Sequence, residues 1–496
     1  MHVHRISFVA LTTLSAFGIR TNGFVPLAGF ERPKHHTLKA ASKVRSSVSN
    51  NAVSLKLPVF DSTTRKQSMS AASFVLFDIA FRTLFKAAKV DFPSSLGGCG
   101  FLFATFLALP PKASSFLYEK LTPGAALLAK WLPVFFVPSL ITLPLADSIG
   151  TSAELIKVVG IVIGGFFFTL LSAAFSVIAV RKAMGNESPV KAEIEDLTSK
   201  ATQNVMNTVP LKPFSDECFH ALTLTSVGLG LLTLASKFAG ITVLARQSSA
   251  LFLLATTLST FVYGARLPKK LTTIIHPLLV CTSFTWVVAR ALAAATGQSF
   301  RSILKSYRTG SLGLKTSGAG DILLFLLGPA VISLAISMYE KRKLMRDNLA
   351  EVGTAVGVST FGGLYGTALL VRLLDVGNPF LRLSLLSRNI TSPLAMAIAG
   401  IIGADVSLAV TAVVITGVFG ANFGATILTA LGIKDPVARG LSIGASAHGL
   451  GTAAFANEKD AFPFAAIAMA LTASAATVVV SIPFFRRILL QLALGV

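Results

Sequence analysis

From residue 72 to the C-terminus, apolar runs recur that are each long enough to cross a lipid bilayer. A helix spanning a hydrocarbon core of ~30 Å needs about 20 residues. Candidate spans cover 72–90, 94–109, 123–145, 155–180, 219–236, 248–264, 272–295, 319–338, 350–374, 406–431 and 462–486. Two further segments, 388–403 and 437–455, are apolar but short and interrupted. The composition agrees: 53% of residues are hydrophobic and 13% charged, against roughly 25% charged in an ordinary soluble domain. That little charge cannot cover a water-exposed surface, and so much apolar content excludes disorder. The expected fold is an all-α polytopic membrane protein with about twelve transmembrane segments, including two short broken or re-entrant helices in the C-terminal half.

The chain carries 44 Lys and Arg against 22 Asp and Glu, a net charge of +22. The basic residues are scattered between apolar runs, so no nucleic-acid partner is expected. Cys99, Cys218 and Cys281 lie far apart in apolar surroundings and form neither a CxxC pair nor a zinc spacing. No metal site and no cofactor are expected. Residues 1–77 hold a net +8 of the charge, with Glu31 and Asp61 their only acids. Arg5, the apolar run Ile6–Leu14 and the small Ser15 and Ala16 follow the order of a secretory signal. The hydroxyl-rich, acid-poor stretch behind them has transit-peptide composition. Residues 1–70 therefore read as a disordered bipartite targeting presequence of the kind used for plastids of secondary origin; a mitochondrial presequence is the alternative.

The longest polar connection, 181–217, mixes basic and acidic residues and divides the chain. The expected domains are a four-helix membrane unit at 71–185, a polar linker at 186–217, connecting helices at 218–270 and a transport unit at 271–496. Asp78, Arg82 and Lys86 recur four apart, which reads as an amphipathic first helix lying at the interface. Gly160/Gly164, Gly353/Gly357, Gly420/Gly424 and Gly440/Gly444 have the small-xxx-small spacing that lets helices approach.

Irregular backbone at membrane depth is tolerated where it lines a cavity, and transporters build binding sites from such broken helices. Arg388-Asn389-Ile390-Thr391-Ser392-Pro393 is one candidate. Pro393 disfavours helix before it, and Thr391 or Ser392 could cap the half-helix after it, leaving N–H groups suited to a carboxylate. The second is Ser446-Ala447-His448-Gly449-Leu450-Gly451-Thr452. There two glycines loosen the backbone, Ser446 and Thr452 offer hydroxyls, and His448 could move a proton. A structural histidine held by a backbone carbonyl is the other reading of His448. Lys434 and Arg439 read either as an anion vestibule or as a solvated capping loop, and Asp405 as the N-cap of the span it precedes. Gly444–His448 misses the nucleophile-elbow pattern at its fifth position and lacks the strand-turn-helix context, so no catalytic residues and no enzyme are expected.

Several motifs resemble a known family. Ser387–Ala395, Val414–Gly424 (VITGVFGANFG), Ile433–Gly440 (IKDPVARG), Ser446–Ala453 (SAHGLGTA) and Leu327-Gly328-Pro329-Ala330 are similar to the LrgB (CidB) family. Phe92–Gly97 and Lys130–Pro138 are similar to the LrgA (CidA) family. Both joined behind a plastid address resemble the plastidal glycolate/glycerate translocator family. The resemblance implies an antiporter of the plastid inner envelope membrane, with glycolate and glycerate as partners in photorespiration and possibly with proton coupling or as a homodimer. The two broken segments and the matched motifs together make Arg388, Asn389, Thr391, Ser392, Asn422, Ser446, His448, Gly449, Gly451 and Thr452 the expected substrate contacts, with His448 the candidate for proton coupling. The alternatives are a holin-like pore or a transporter of the pyruvate or lactate type.

Overall fold

The computed structural model describes residues 62–90, 92–146, 151–185, 214–268, 271–272, 275–313 and 316–495. Residues 1–61, which hold most of the expected presequence, and most of the 186–217 connection lie outside the described residues. Everything regular among the described residues is helical, and ten helices are long and apolar enough to cross a membrane. Two more apolar helices, Ser94–Ala108 and Ser392–Ile402, are shorter.

In chain order the elements are α1 (Ser62–Ala87), α2 (Ser94–Ala108), α3 (Pro111–Phe135), α4 (Val137–Ile141) and α5 (Ser152–Ala183). There follow α6 (Asp216–Phe238), α7 (Thr242–Ala265), α8 (Pro277–Thr296), α9 (Phe300–Tyr307), α10 (Ala319–Glu340) and α11 (Arg342–Asp347). The last third holds α12 (Leu349–Leu373), α13 (Pro379–Leu385), α14 (Ser392–Ile402), α15 (Val406–Ala430), α16 (Pro436–Ala454), α17 (Phe462–Ser481) and α18 (Pro483–Leu494). Their ends carry the expected chemistry. Asp405 accepts from the Leu408 N–H at 2.8 Å and Asp435 from the Ala438 N–H at 2.9 Å, so each caps the helix it precedes. Gly297 and Gly403 end α8 and α14 in the left-handed conformation.

Packing joins elements that are distant in sequence. α1, α2 and α3 pack on one another and on α10, while α6, α7 and α8 form a neighbouring layer that meets α9 and α4. α5 instead packs on α12, α15 and α16. α12 also meets α17 and α18, α14 meets α15 and α17, and α16 lies along α17. One apolar core accordingly runs through α1–α4, α7, α8 and α10. Two others run through α5 and the helices from α12 onward. Exposed Leu224, Val227, Leu231 and Phe238 give α6 an apolar outer face suited to lipid.

The first helix begins at Ser62, inside the stretch assigned to the presequence, because Ser70 is part of the core. Its hydroxyl donates to the Leu121 carbonyl at 3.0 Å and accepts from the Gly124 N–H at 2.9 Å, repairing α3 beside Pro123. Ser70→Ala is expected to lower stability by about 1–2 kcal/mol, read as a lower unfolding temperature in detergent. Asp78 also departs from the interfacial expectation. Its side chain is fully buried and faces Gly328 of α10, while Arg82 pairs with it at 2.6 Å. Two of the four small-residue pairs make close contacts. Gly420 and Gly424 admit Ala447 and Ile443 of α16, Gly440 lies on the carbonyl of Ala461, the N-cap of α17, and Gly444 on the Ala465 carbonyl within α17. Gly160/Gly164 and Gly353/Gly357 have nothing within 4 Å.

Candidate substrate site

Both interruptions expected from the sequence are present. Between α13 and α14 the backbone leaves the helical path, and residues 386–390 are all buried. The N-cap of α14, Thr391, makes no side-chain capping bond, so the expected hydroxyl cap is not formed. α16 breaks at His448, whose φ of 44° and ψ of −139° are non-helical. A side chain beyond Cβ is strained there, and such strain persists where the surroundings hold it. The His448 ring does so, with Nε2 2.9 Å from the Val413 carbonyl of α15. Gly417 on α15 leaves the room: a Cβ there would fall on the imidazole.

The two breaks meet directly. Asn389 Nδ2 donates to the Ala445 carbonyl of α16 and to the Ser359 carbonyl of α12, each at 3.3 Å. The Ala445 carbonyl lies three residues before the kink at His448, so this bond ties the first interruption to the second. Asn389 Oδ1 is buried and makes no hydrogen bond.

Arg388 beside it is fully buried. Its Nε donates to Thr367 Oγ1 of α12 at 3.1 Å, but neither terminal nitrogen has a partner. Among the described residues no carboxylate pairs with it. Two glycines make the space, since a Cβ on Gly165 of α5 would strike the guanidinium and one on Gly363 of α12 the Asn389 amide. Ser359 Oγ and Thr360 Oγ1 of α12 are likewise buried without partners. Thr360, Gly363 and Thr367 share one face of α12 by helical spacing. The meeting point of the two breaks therefore holds a dehydrated cation and an unpaired amide oxygen, and α12, which packs on both residues, carries two buried unpaired hydroxyls.

The remaining predicted residues are placed differently. Ser392 is buried at the start of α14, and Thr391 and Asn422 are partly exposed. Ser446 donates to the Ser442 carbonyl of its own helix at 2.7 Å, and Thr452 to the Ala465 carbonyl at 3.3 Å. Gly451 is buried against Ala447. Gly449 and Thr452 line a cavity of about 440 Å³ between α10 and the α16–α17 pair; His448 does not. Arg439 is neither a vestibule residue nor solvated. It pairs with Glu458 at 2.7 Å and donates to the Ile433 carbonyl at 2.9 Å. Asp435 pairs with Arg181 of α5 at 2.8 Å, and Arg181 also reaches Glu351 of α12 at 3.5 Å. Sequence reasoning missed Gly165, Ser359, Thr360, Gly363 and Thr367. The signal was present as hydroxyls and glycines at helical spacing inside an apolar span.

Membrane-length helices around two interrupted stretches, with a dehydrated guanidinium where they meet, define a polytopic membrane protein of the secondary-transporter type. The chain belongs to the LrgB-like family, which its residues 257–486 match. It is 35% identical over 418 residues to plastidal glycolate/glycerate translocator 1, chloroplastic, of Arabidopsis thaliana, covering 83% of this chain and 78% of that protein. That alignment reaches well beyond the LrgB-like segment into the N-terminal helices. Uncharacterized protein YwbG of Bacillus subtilis (strain 168) is 30% identical over 133 residues, 27% of this chain and 59% of that protein. No solved structure matches.

Proposed function

We propose that this chain is a secondary carrier of the plastid inner envelope that exchanges glycolate for glycerate. The observation that carries the reading is Arg388, wholly buried with both terminal nitrogens unpaired at the meeting point of the two broken stretches. A cation removed from water costs several kcal/mol unless an anion compensates. A guanidinium presents its donors as a planar fork that matches one carboxylate. The start of α14 follows within four residues of Arg388, and a helix N-terminus carries partial positive charge. Asn389 Oδ1, Ser359 Oγ and Thr360 Oγ1 supply hydrogen-bonding groups for the 2-hydroxyl. In this reading His448 holds the kink of α16 through Val413, and Ser446 and Thr452 brace α16 rather than touch substrate.

A Chloroplast relative named for these two substrates supports the choice among small hydroxy acids. The test is transport by the purified full chain in liposomes. With equal pH on both sides, labelled glycolate uptake is expected to saturate, to require internal glycerate or glycolate, and to be inhibited more strongly by glycerate than by pyruvate, which lacks the hydroxyl donor. Flux that is unsaturable, needs no counter-substrate and falls only with solute size marks a pore and overturns the reading.

A further inference from the structure

Asp78 is a buried carboxylate that the substrate site does not use. Its side chain has no exposed surface, and Oδ1 makes no hydrogen bond. It faces Gly328, where a Cβ would fall on the carboxylate oxygens and the Arg82 guanidinium. Gly328 is the tenth residue of the 22 in α10, so at 1.5 Å per residue it lies about 14 Å from one end and about 18 Å from the other. The carboxylate therefore lies opposite the middle of the membrane-length helix α10. The next residue, Pro329, removes the N–H that would bond the Phe325 carbonyl and makes this point of α10 a natural hinge.

Intramembrane acids that face the protein interior commonly mark ion or proton paths. The charges around this one are few. Of the helices packed on α1, α10 meets Asp78 with Gly328, and its own Asp321 is bound to Thr309, Gly310 and Gly318. α2 carries only the buried Cys99. On α3, Lys112, Glu119, Lys120 and Lys130 occupy exposed positions, and Tyr118 lies beside Tyr339. Among the described residues, Arg82 is the charge that pairs with Asp78. Its own side chain is 42% exposed and lies over the Phe325 ring, 5.2 Å from the centroid, so it can reach the surface when released.

α10 connects this point to the transport helices. Beyond Pro329, Leu334, Ser337 and Met338 of α10 and Lys341 at its C-cap form one wall of the 440 Å³ cavity, and Gly449 and Thr452 of α16, just past the His448 kink, form another. We propose that Asp78 is a proton-binding site that couples a proton gradient to substrate movement through the Pro329 hinge of α10. A proton arriving at Asp78 replaces Arg82 as its partner, the guanidinium turns outward, and the α10 wall shifts against α16. Loss of the proton restores the ion pair. One proton is bound and one released per cycle, and no other bond changes.

The inference rests on the carrier reading above, and the experiment separates the two. Full-length protein in liposomes is assayed first for glycolate/glycerate exchange at equal pH, then for glycolate accumulation under a pH gradient. One coupled proton supports about tenfold accumulation per pH unit. Wild type is expected to accumulate glycolate, and Asp78→Asn to retain exchange at equal pH while losing the gradient-driven accumulation. Arg82→Gln is expected to move half-maximal uptake to higher pH, because a carboxylate freed of its guanidinium binds a proton more tightly. A wild type that exchanges but ignores the pH gradient overturns the inference while leaving the carrier reading intact. So do an Asp78→Asn protein that still accumulates substrate, or accumulation driven equally by a sodium gradient. If Asp78→Asn does not insert, the Arg82→Gln profile decides, and an unshifted profile overturns the proposal.

Discussion

Arg388→Met should lose substrate exchange and at the same time gain stability. Few substitutions in a binding site move both properties in this direction. The physical reason is that Arg388 is buried as a cation with a single hydrogen bond, from Nε to Thr367. Replacing an uncompensated buried charge by an apolar side chain of similar length removes a desolvation penalty, so unfolding is expected to cost about 1–3 kcal/mol more. Substrate binding loses its carboxylate partner. Truncating one member of a dehydrated charge pair costs about 3 kcal/mol or more, roughly a hundredfold in affinity. Thermal unfolding in detergent and exchange in liposomes read the two effects on one preparation. Arg388→Lys should retain part of the exchange, because it keeps the charge but not the planar fork. Exchange unchanged in Arg388→Met would remove the site assignment.

Gly444→Ala carries the largest expected loss of stability. Its Cβ would fall on the backbone of α17 at Ala465, an atom set that cannot rotate away. α16 and α17 would have to separate along their length, and the Asn389–Ala445 contact lies one residue from the strained point. Overpacking of this kind costs about 1–3 kcal/mol, and here the upper end is expected. Gly160→Ala on α5 is the matched control. Nothing lies within 4 Å of its Cβ position, and alanine is the better helix former, so its unfolding temperature should stay level or rise slightly. Equal behaviour of the two variants would show that the α16–α17 approach does not hold the transport helices together.

These two glycines illustrate what could be read from the chain before its fold. Both belong to small-xxx-small pairs of the same spacing, yet one touches a neighbouring backbone and the other touches nothing. The interruptions at 388–391 and around His448 were legible, because Pro393, Gly449 and Gly451 act on the backbone locally whatever surrounds them. Asp405 was legible as a cap for the same reason. The ranking of residues within the site was not. His448 drew attention through its chemistry but is engaged by the Val413 carbonyl, whereas the unpartnered groups are Arg388, Asn389 and the α12 hydroxyls. Arg439 and Arg181 looked like loop charges and are buried ion-pair partners of Glu458, Asp435 and Glu351.

By itself the sequence determined that this is a helical membrane protein, roughly where its spans lie, and where two of its segments break. Those properties follow from the length of apolar runs and from local backbone chemistry. Only the tertiary structure decided that α5 joins α12, α15 and α16, that α10 joins α1–α3, and that α12 presents Ser359, Gly363 and Thr367 to Arg388 and Asn389. In water, an apolar face announces that it must meet another. In a bilayer, lipid tails and neighbouring helices are equally apolar, so hydrophobicity records that a helix crosses the membrane but not which partner it crosses beside.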